Sequence, residues 1–354
     1  GDLYRLAQAF LGHRKGGLAM ATVATCAGFG AVCGSSLATT ATMTRIALPE
    51  MESRGYSRRL STGSIAAGST LGVIVPPSVL LVLYAILTEQ FVTALFVAAL
   101  GPALIAVILY LLSVVAYVTV SPNSGPAAER VAWPERRSVL KQSWGVVFLA
   151  FVVSGGIYSG IFTINEAAAV GASVAIAFTA FRGRLSRRLF FDNLRETAAS
   201  TALIYLIIIG ASIFSYAISL SQLPDIIVGS IEGLGLQPLV VILLLEAMYI
   251  VLGSIFDTVA AMVITLPFVF PLITGMGYDP IWWGVINVVV MEMGMITPPI
   301  GLNVFVLQGM AKDVPFSTIY AGIGPFLVSD VIRLLILTLF PVLTLWLPKA
   351  MGLM

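Results

Sequence analysis

Two proline pairs, Pro76-Pro77 and Pro298-Pro299, each interrupt a long apolar run of this chain. A proline has no N–H, so the carbonyl four residues earlier in a helix loses its donor. The pairs therefore free the carbonyls of Gly72 and Val73 in one run and of Gly294 and Met295 in the other. Unpaired backbone is excluded from lipid but tolerated where it lines a buried cavity. Bare carbonyls at that depth are ligands for a hard cation such as sodium. Two further breaks, Gly34-Ser35-Ser36 and Gly253-Ser254, supply flexible backbone and hydroxyls. All four interruptions also create helix N-termini. Ser35 or Ser36, Ser78, Ser254 and Thr297 stand where new half-helices are expected to start, since Ser and Thr suit the cap and Pro the first turn. Inward-pointing N-termini attract an anion. No Lys or Arg is expected inside the four broken segments. A carboxylate would thus be held by dipoles, hydroxyls and a bound cation rather than by a salt bridge.

Two acids and an amide accompany these breaks. Asp257 follows the second Gly-Ser pair, Glu292 precedes the second Pro-Pro pair, and Asn303 follows it. An ionisable group at membrane depth is functional by default. The plainer readings stay open: a Pro-Pro kink, an acid paired with a buried hydroxyl or amide, an asparagine bridging two helices. Asp330 and Arg333 stand at i and i+3 in one apolar run and are expected to pair, as structural residues or a subunit contact. Cys26 and Cys33, seven apart, would be about 10 Å apart along a helix, too far for a disulfide. They read as packing residues, and His13, beside Arg14 and Lys15, reads as interfacial.

The elements that must position these groups are membrane spans. Of 354 residues 58% are hydrophobic and only 10% charged, against roughly 25% charged in a soluble chain. That composition excludes a water-soluble globule, a disordered chain, a coiled coil and a nucleic-acid binder, and leaves an all-α polytopic membrane protein. The runs parse as two re-entrant hairpins (17–50 and 237–272), two broken spans (58–90 and 280–310), and plain spans at 91–120, 140–163, 164–181, 197–220 and 315–347. With the base of the first hairpin in the cytoplasm, 17 of the 19 basic residues fall on the cytoplasmic side, as the positive-inside bias requires.

The chain also repeats itself. Gly34-Ser35 matches Gly253-Ser254 at a spacing of 219, Gly55-Tyr56 matches Gly277-Tyr278 at 222, Gly72 with Pro76-Pro77 matches Gly294 with Pro298-Pro299 at 222, and Gly101-Pro102 matches Gly324-Pro325 at 223. An odd number of crossings between the hairpins makes the second copy inverted. The domains expected are an amphipathic arm (1–16), a first hairpin and broken helix (17–90), scaffold spans and a second arm (91–236, the arm at 222–234), a second hairpin and broken helix (237–310) and a last scaffold span (311–354). Symmetry calls for about three more spans ahead of Gly1, on the order of 80 residues.

The stretches GSSLATTATMTRIALPEMESRGYSRRLSTGSIAAGSTLGVIVPPS (34–78) and GMGYDPIWWGVINVVVMEMGMITPPIGLNVFV (275–306) resemble the large membrane subunit of tripartite ATP-independent periplasmic (TRAP) transporters. The resemblance runs over essentially the whole chain and departs at the start, where that family has further spans. It implies a secondary transporter of the bacterial inner membrane, sodium-coupled and specific for an organic acid of the C4-dicarboxylate or sialic-acid type. It implies an elevator, in which hairpins and broken helices slide against the scaffold. It also implies a small four-helix membrane subunit and a periplasmic binding protein as partners. The sodium sites then map onto Gly34, Ser35, Ser36, Gly72, Gly253, Gly294 and Thr297. The alternatives are a passive anion channel and a proton-coupled carboxylate carrier. An enzyme is not expected: the lone histidine lies at the cytoplasmic edge, an Asp257–Asp330 pair has no supporting motif, and no lysine sits in a phosphate-binding loop.

Overall fold

The computed structural model describes residues 2–223, 226, 229–230, 233 and 235–354, and only the backbone of Val146. The second arm expected over 222–234 lies for the most part outside the described residues. Among those described there are helices and turns and no strands. Six helices are long and apolar enough to cross a membrane, up to eight if each bent pair is one span. The chain is a multi-pass membrane protein.

Helix α1 (Asp2–Leu11) is amphipathic and lays Tyr4 and Ala9 onto the core. The first hairpin is α2 (Gly17–Cys33) and α3 (Ser36–Ser53). Gly34, at φ 64°, ends α2 in the left-handed conformation that favours glycine. Gly55 (φ 75°) then turns the chain, and Ser57 caps α4 (Arg58–Ile74). Helix α4 is buried from Leu60 to Ile74 and rich in Ser, Thr, Ala and Gly, the small residues that let helix backbones approach in a membrane. Its continuation α5 (Val79–Thr88) is bent from it by 41°. Next come α6 (Val92–Val120), α7 (Trp133–Tyr158), α8 (Ile164–Phe181) and α9 (Arg187–Leu220). The Thr163–Glu166 capping box starts α8. The second hairpin is α10 (Pro238–Ile255) and α11 (Thr258–Gly275). It is followed by α12 (Pro280–Gly294), buried from Ile281 onward, and α13 (Leu302–Met310). The chain closes with α14 (Phe316–Leu339) and α15 (Val342–Ala350).

Four boundaries differ from the sequence reading. The span expected over 140–163 is α7, which starts at Trp133 with Pro134 in its first turn and ends at Tyr158. The last span expected over 315–347 is two helices, because Pro341 lacks the N–H that would carry α14 onward. Helix α9 begins ten residues before the expected 197, because Ser186 caps it and its basic first turns stay helical. The second hairpin turns at Phe256-Asp257, not at Gly253-Ser254.

That last shift regularises the repeat. Adding 222 to the bounds of α3 gives those of α11, and adding it to Ser57 gives Asp279, the cap of α12. The tip at Ser35 corresponds to Asp257, not to Ser254. The 219 spacing is out of register by about one helical turn. A slip of one turn keeps residues on the same face, so both spacings align the same side of the hairpin.

The core sits where the two broken helices meet α6 and α14. Helices α4 and α14 cross backbone to backbone: a methyl on Gly322 would lie 2.0 Å from the carbonyl oxygen of Arg59, and one on Gly63 would lie 2.3 Å from that of Gly322. Asp330 and Arg333 pair as expected, at 2.8 Å, in full burial. Outside this core α9 is almost wholly exposed.

Candidate functional site at the hairpin tips and helix breaks

Each hairpin lies against its own broken helix through glycine. A methyl on Gly30 would come within 2.5 Å of Gly72 Cα, and one on Gly294 within 2.7 Å of Gly253 Cα. The pairs Gly30–Gly72 and Gly253–Gly294 are related by the same spacing of 222 to 223. These contacts bring each tip up to the break that follows it.

At the first tip the Ser35 side chain accepts from the backbone N–H of Ala38, so the cap is Ser35 rather than Ser36. Ser36 instead donates to Met295 Sδ at 3.1 Å, which ties the first tip to the second break. Gly34 touches the Pro77 carbonyl, and Gly72 faces Thr39 and the Ser35 carbonyl. Ser78 caps α5 as expected, accepting from Leu81 N–H. Among the described residues, none of the six carbonyls from Gly72 to Pro77 accepts a hydrogen bond. The bare carbonyls read from the sequence at Gly72 and Val73 are therefore present.

At the second tip and break the chemistry differs. Asp257 is the cap, its carboxylate accepting from Val259 N–H at 3.0 Å and Ala260 N–H at 3.3 Å. Ser254 is no cap; its hydroxyl donates back to the Val251 carbonyl inside α10. Thr297 is no cap either, and donates to the Met293 carbonyl at the end of α12. The following half-helix α13 starts after Gly301, whose φ of 62° places it in glycine's region. The expected bare carbonyls are engaged here: Gly294 accepts from Thr297 N–H at 2.9 Å and Met295 from Asn303 N–H at 3.1 Å. The peptide N–H of Gly301 donates to the Ser254 carbonyl at 2.9 Å, closing the tip onto the break. The Tyr320 hydroxyl donates to the Ile300 carbonyl at 2.6 Å. The longer excursion from Met295 to Gly301 gives the backbone room to satisfy itself. The Pro76-Pro77 and Pro298-Pro299 peptide bonds are both cis.

The structure thus brings together Gly34, Ser35, Ser36, Gly72, Pro77 and Ser78 with Met295, and separately Gly253, Ser254, Asp257, Gly294, Thr297 and Gly301. Asn303 is fully buried at the start of α13, and its side-chain amide has no partner among the described residues. Glu292 is buried in α12, beside Met291, whose backbone lies against Gly253 of the second hairpin. Sequence reasoning missed Gly30, hidden by the one-turn slip, and Gly301 and Tyr320, which carry no motif. It also missed Arg45. Helix α3 runs unbroken to Ser53, so Arg45 stands at its middle, exposed, and the second half of the first hairpin does contain a cation.

A cavity of about 400 Å³ opens beside the first tip, lined by Cys33, Gly34, Pro77 and Ser78 on one side and by Val153 of α7, Ile164 and Ala168 of α8 and Ile204 of α9 on the other. Its size suits a small organic molecule. Its walls are largely apolar, with the Ser78 hydroxyl, the Cys33 thiol and backbone as polar points.

The chain matches the family model described as "Tripartite ATP-independent periplasmic transporter, DctM component" over residues 1–343. It is 37% identical to the C4-dicarboxylate TRAP transporter large permease protein DctM of Pseudomonas aeruginosa, over 99% of this chain and 82% of that protein. It is 29% identical to the sialic acid TRAP transporter large permease protein SiaM of Vibrio cholerae, and 29% to the ectoine/5-hydroxyectoine TRAP transporter large permease protein UehC of Ruegeria pomeroyi. Each of these two matches covers 98% of this chain and 81% of the relative. Twin tips set against broken helices, a family match across nearly the whole chain and a large permease relative at 37% identity agree: the chain belongs to the DctM family, the large permease component of TRAP transporters.

Proposed function

We propose that this permease imports an organic acid across the bacterial inner membrane, driven by a sodium gradient, and is not an enzyme. A periplasmic binding protein delivers the solute and a small four-helix membrane subunit completes the transporter. The names of the relatives, C4-dicarboxylate and sialic acid among them, support an organic acid of one of those types. The observation that carries the reading is the run of carbonyls from Gly72 to Pro77 with no partner among the described residues, packed under the Ser35 cap. Such a run gives a hard cation oxygen ligands, and the N-termini of α3 and α5 give an anion its donors. Asp257 adds a carboxylate at the second tip. Gly253, Gly294, Pro298, Pro299, Thr297 and Asn303 shape that second half of the site.

The mechanism we propose is an elevator built on an inverted repeat, which the common spacing of 222 between the two sets of elements supports. The hairpins and broken helices move together, held by the glycine contacts. Close packing of α14 on α4 and the buried Tyr110–Asp330 hydrogen bond favour α6 and α14 moving with them. The exposed α7, α8 and α9, across the apolar cavity, then form the fixed side with the first arm.

The test is uptake into liposomes containing the full-length protein with its small subunit. C4-dicarboxylates and sialic acid are offered with and without an inward sodium gradient and with and without the binding protein. Uptake of one acid that needs both is the expected result. Uptake that follows the anion gradient alone would make the protein a channel, and uptake that follows a proton gradient would replace sodium as the coupling ion.

A further inference from the structure

Helices α8 and α9 are joined by a short loop that runs from Arg182 to Ser186 and is turned by Gly183 at φ 66°. The positive-inside bias puts this basic loop on the cytoplasmic side. Behind it the two helices enclose a groove of about 360 Å³. Ala172, Ala175 and Ile176 of α8 form one wall, and Leu189, Phe190 and Leu194 of α9 form the other. From the loop back to Ala172 the groove follows α8 for about 15 Å at 1.5 Å per residue. That is the depth of one leaflet, half of a hydrocarbon core about 30 Å thick. The apolar windows of both helices are almost wholly exposed, and Phe181 and Phe191, 91% and 65% exposed, flank the loop. The medium that bathes the groove is therefore lipid.

The mouth of the groove is cationic. Arg184 adjoins Leu185, which is part of the lining, and Arg187 precedes Phe190 by three residues and so shares its face. Both arginines are exposed, and neither forms an ion pair among the described residues. The acids near the loop are already engaged: Asp2 pairs with Arg182 at 3.0 Å, and Asp192 lies 3.7 Å from Arg188. Glu196 stands outside the groove lining. Topology alone accounts for cations in a cytoplasmic loop, but not for an apolar groove one leaflet deep that opens between two unpaired ones. A molecule that joins an acyl chain to a phosphate answers the depth and the charge together, and clustered Lys and Arg at the cytoplasmic membrane surface attract anionic lipid.

We propose that the α8–α9 groove is a binding site for an anionic phospholipid: one acyl chain lies between the helices, and the headgroup phosphate is held by Arg184 and Arg187. The site is apart from the hairpin tips and helix breaks, and the proposal holds whatever solute the protein carries.

The test is photo-cross-linking in liposomes that contain the full-length protein with its small subunit. The probe is a trace of phosphatidylglycerol with a photoreactive acyl chain, and the attachment points are mapped by mass spectrometry. Cross-links are expected on the groove-facing residues of α8 and α9. Unlabelled phosphatidylglycerol should displace them about thirtyfold better than phosphatidylethanolamine, the equivalent of about 1 kcal/mol for each of two cations at a membrane surface. The double substitution Arg184→Gln with Arg187→Gln should abolish that preference, whereas Arg137→Gln, at the start of α7, should keep it. Glycerol phosphate, a headgroup without chains, should not compete. Equal competition by the two lipids, or a preference that survives the double substitution, would overturn the proposal. Displacement by glycerol phosphate would make the loop a site for free phosphate instead. Cross-links that form on the permease alone but vanish when the small subunit is present would give the groove to that subunit.

Discussion

The two halves of the molecule share a skeleton and differ in what they do with it. Helices α2 to α5 and α10 to α13 follow one another at a spacing of about 222, each with a glycine-to-glycine contact between hairpin and broken helix. In the first half a neutral serine caps the tip, and the carbonyls of the break have no donor among the described residues. In the second half a carboxylate caps the tip, and the break is bound up by Thr297, Asn303, Tyr320 and the Gly301–Ser254 peptide contact. Geometry that both copies need is built from glycine and proline and is kept. Polar chemistry that each copy uses differently sits on the same frame and diverges.

The largest expected effect tests the shared frame. Gly30→Ala puts a methyl 2.5 Å from Gly72 Cα, and Gly294→Ala puts one 2.6 Å from the Gly253 carbonyl carbon. Both neighbours are backbone and cannot step aside. Each variant should lose about 1–3 kcal/mol, the usual range for overpacking a tight core. Thermal unfolding in lipid checks it. Equal losses in the two halves support a common frame, whereas a tolerant Gly30 would mean the first hairpin is not clamped as the second is.

Next in size is the charge difference at the tips. Asp257→Asn keeps a capping side chain and removes only the charge. If that carboxylate serves a cation, the sodium concentration for half-maximal uptake should rise about tenfold, equivalent to about 1.4 kcal/mol, with little change in thermal stability. Unaltered sodium dependence would confine Asp257 to capping, and the bare carbonyls of the first half would carry the cation alone.

These contrasts show what the sequence could express. The frame was legible because its signals are covalent: a proline removes a donor wherever it stands, and Gly55 and Gly277 turn the chain at matching positions. Ser78 was legible as a cap, and Ser35 as one of two candidates with Ser36, because each follows a break and precedes a helical run. The second tip was misplaced because Gly253-Ser254 has the composition of a turn yet packs as helix, its glycine being needed for contact with Gly294. The free carbonyls at Gly294 and Met295 were expected from proline alone. Whether a carbonyl stays free depends on how the chain turns after it, here bringing the N–H of Thr297, three residues on, to Gly294 and that of Asn303, eight residues on, to Met295.

A smaller effect separates the two breaks. Tyr320→Phe removes the donor to the Ile300 carbonyl, and Ser78→Ala removes the cap of α5. Each should cost about 1 kcal/mol in stability. They should part company in transport. Ser78 lies at the cavity and beside the unpaired carbonyls, so its loss should also lower uptake severalfold, whereas Tyr320→Phe should leave uptake close to wild type. Equal losses of transport would show that the closed second break is as much a part of the solute path as the open first one.

The smallest expected effect lies at the equivalent caps Ser57 and Asp279, where the two halves differ by one charge. Asp279 accepts from Ile281 N–H at 2.8 Å and Trp282 N–H at 3.3 Å, and Ser57 accepts from Leu60 N–H at 3.3 Å. Replacing Asp279 by Ser preserves a capping oxygen and gives up only the attraction between a carboxylate and the helix N-terminus, worth about 0.3–1 kcal/mol. Asp279→Ser should therefore lower the unfolding temperature slightly, and the loss should shrink as salt is added, because this attraction is screened. Asp279→Ala gives up the hydrogen bonds too and should cost more, at any salt concentration. If Asp279→Ser proved as damaging as Asp279→Ala, the carboxylate would be doing more than capping, and the second half would hold two working acids, at the hairpin tip and at the base of α12, where the first half has none.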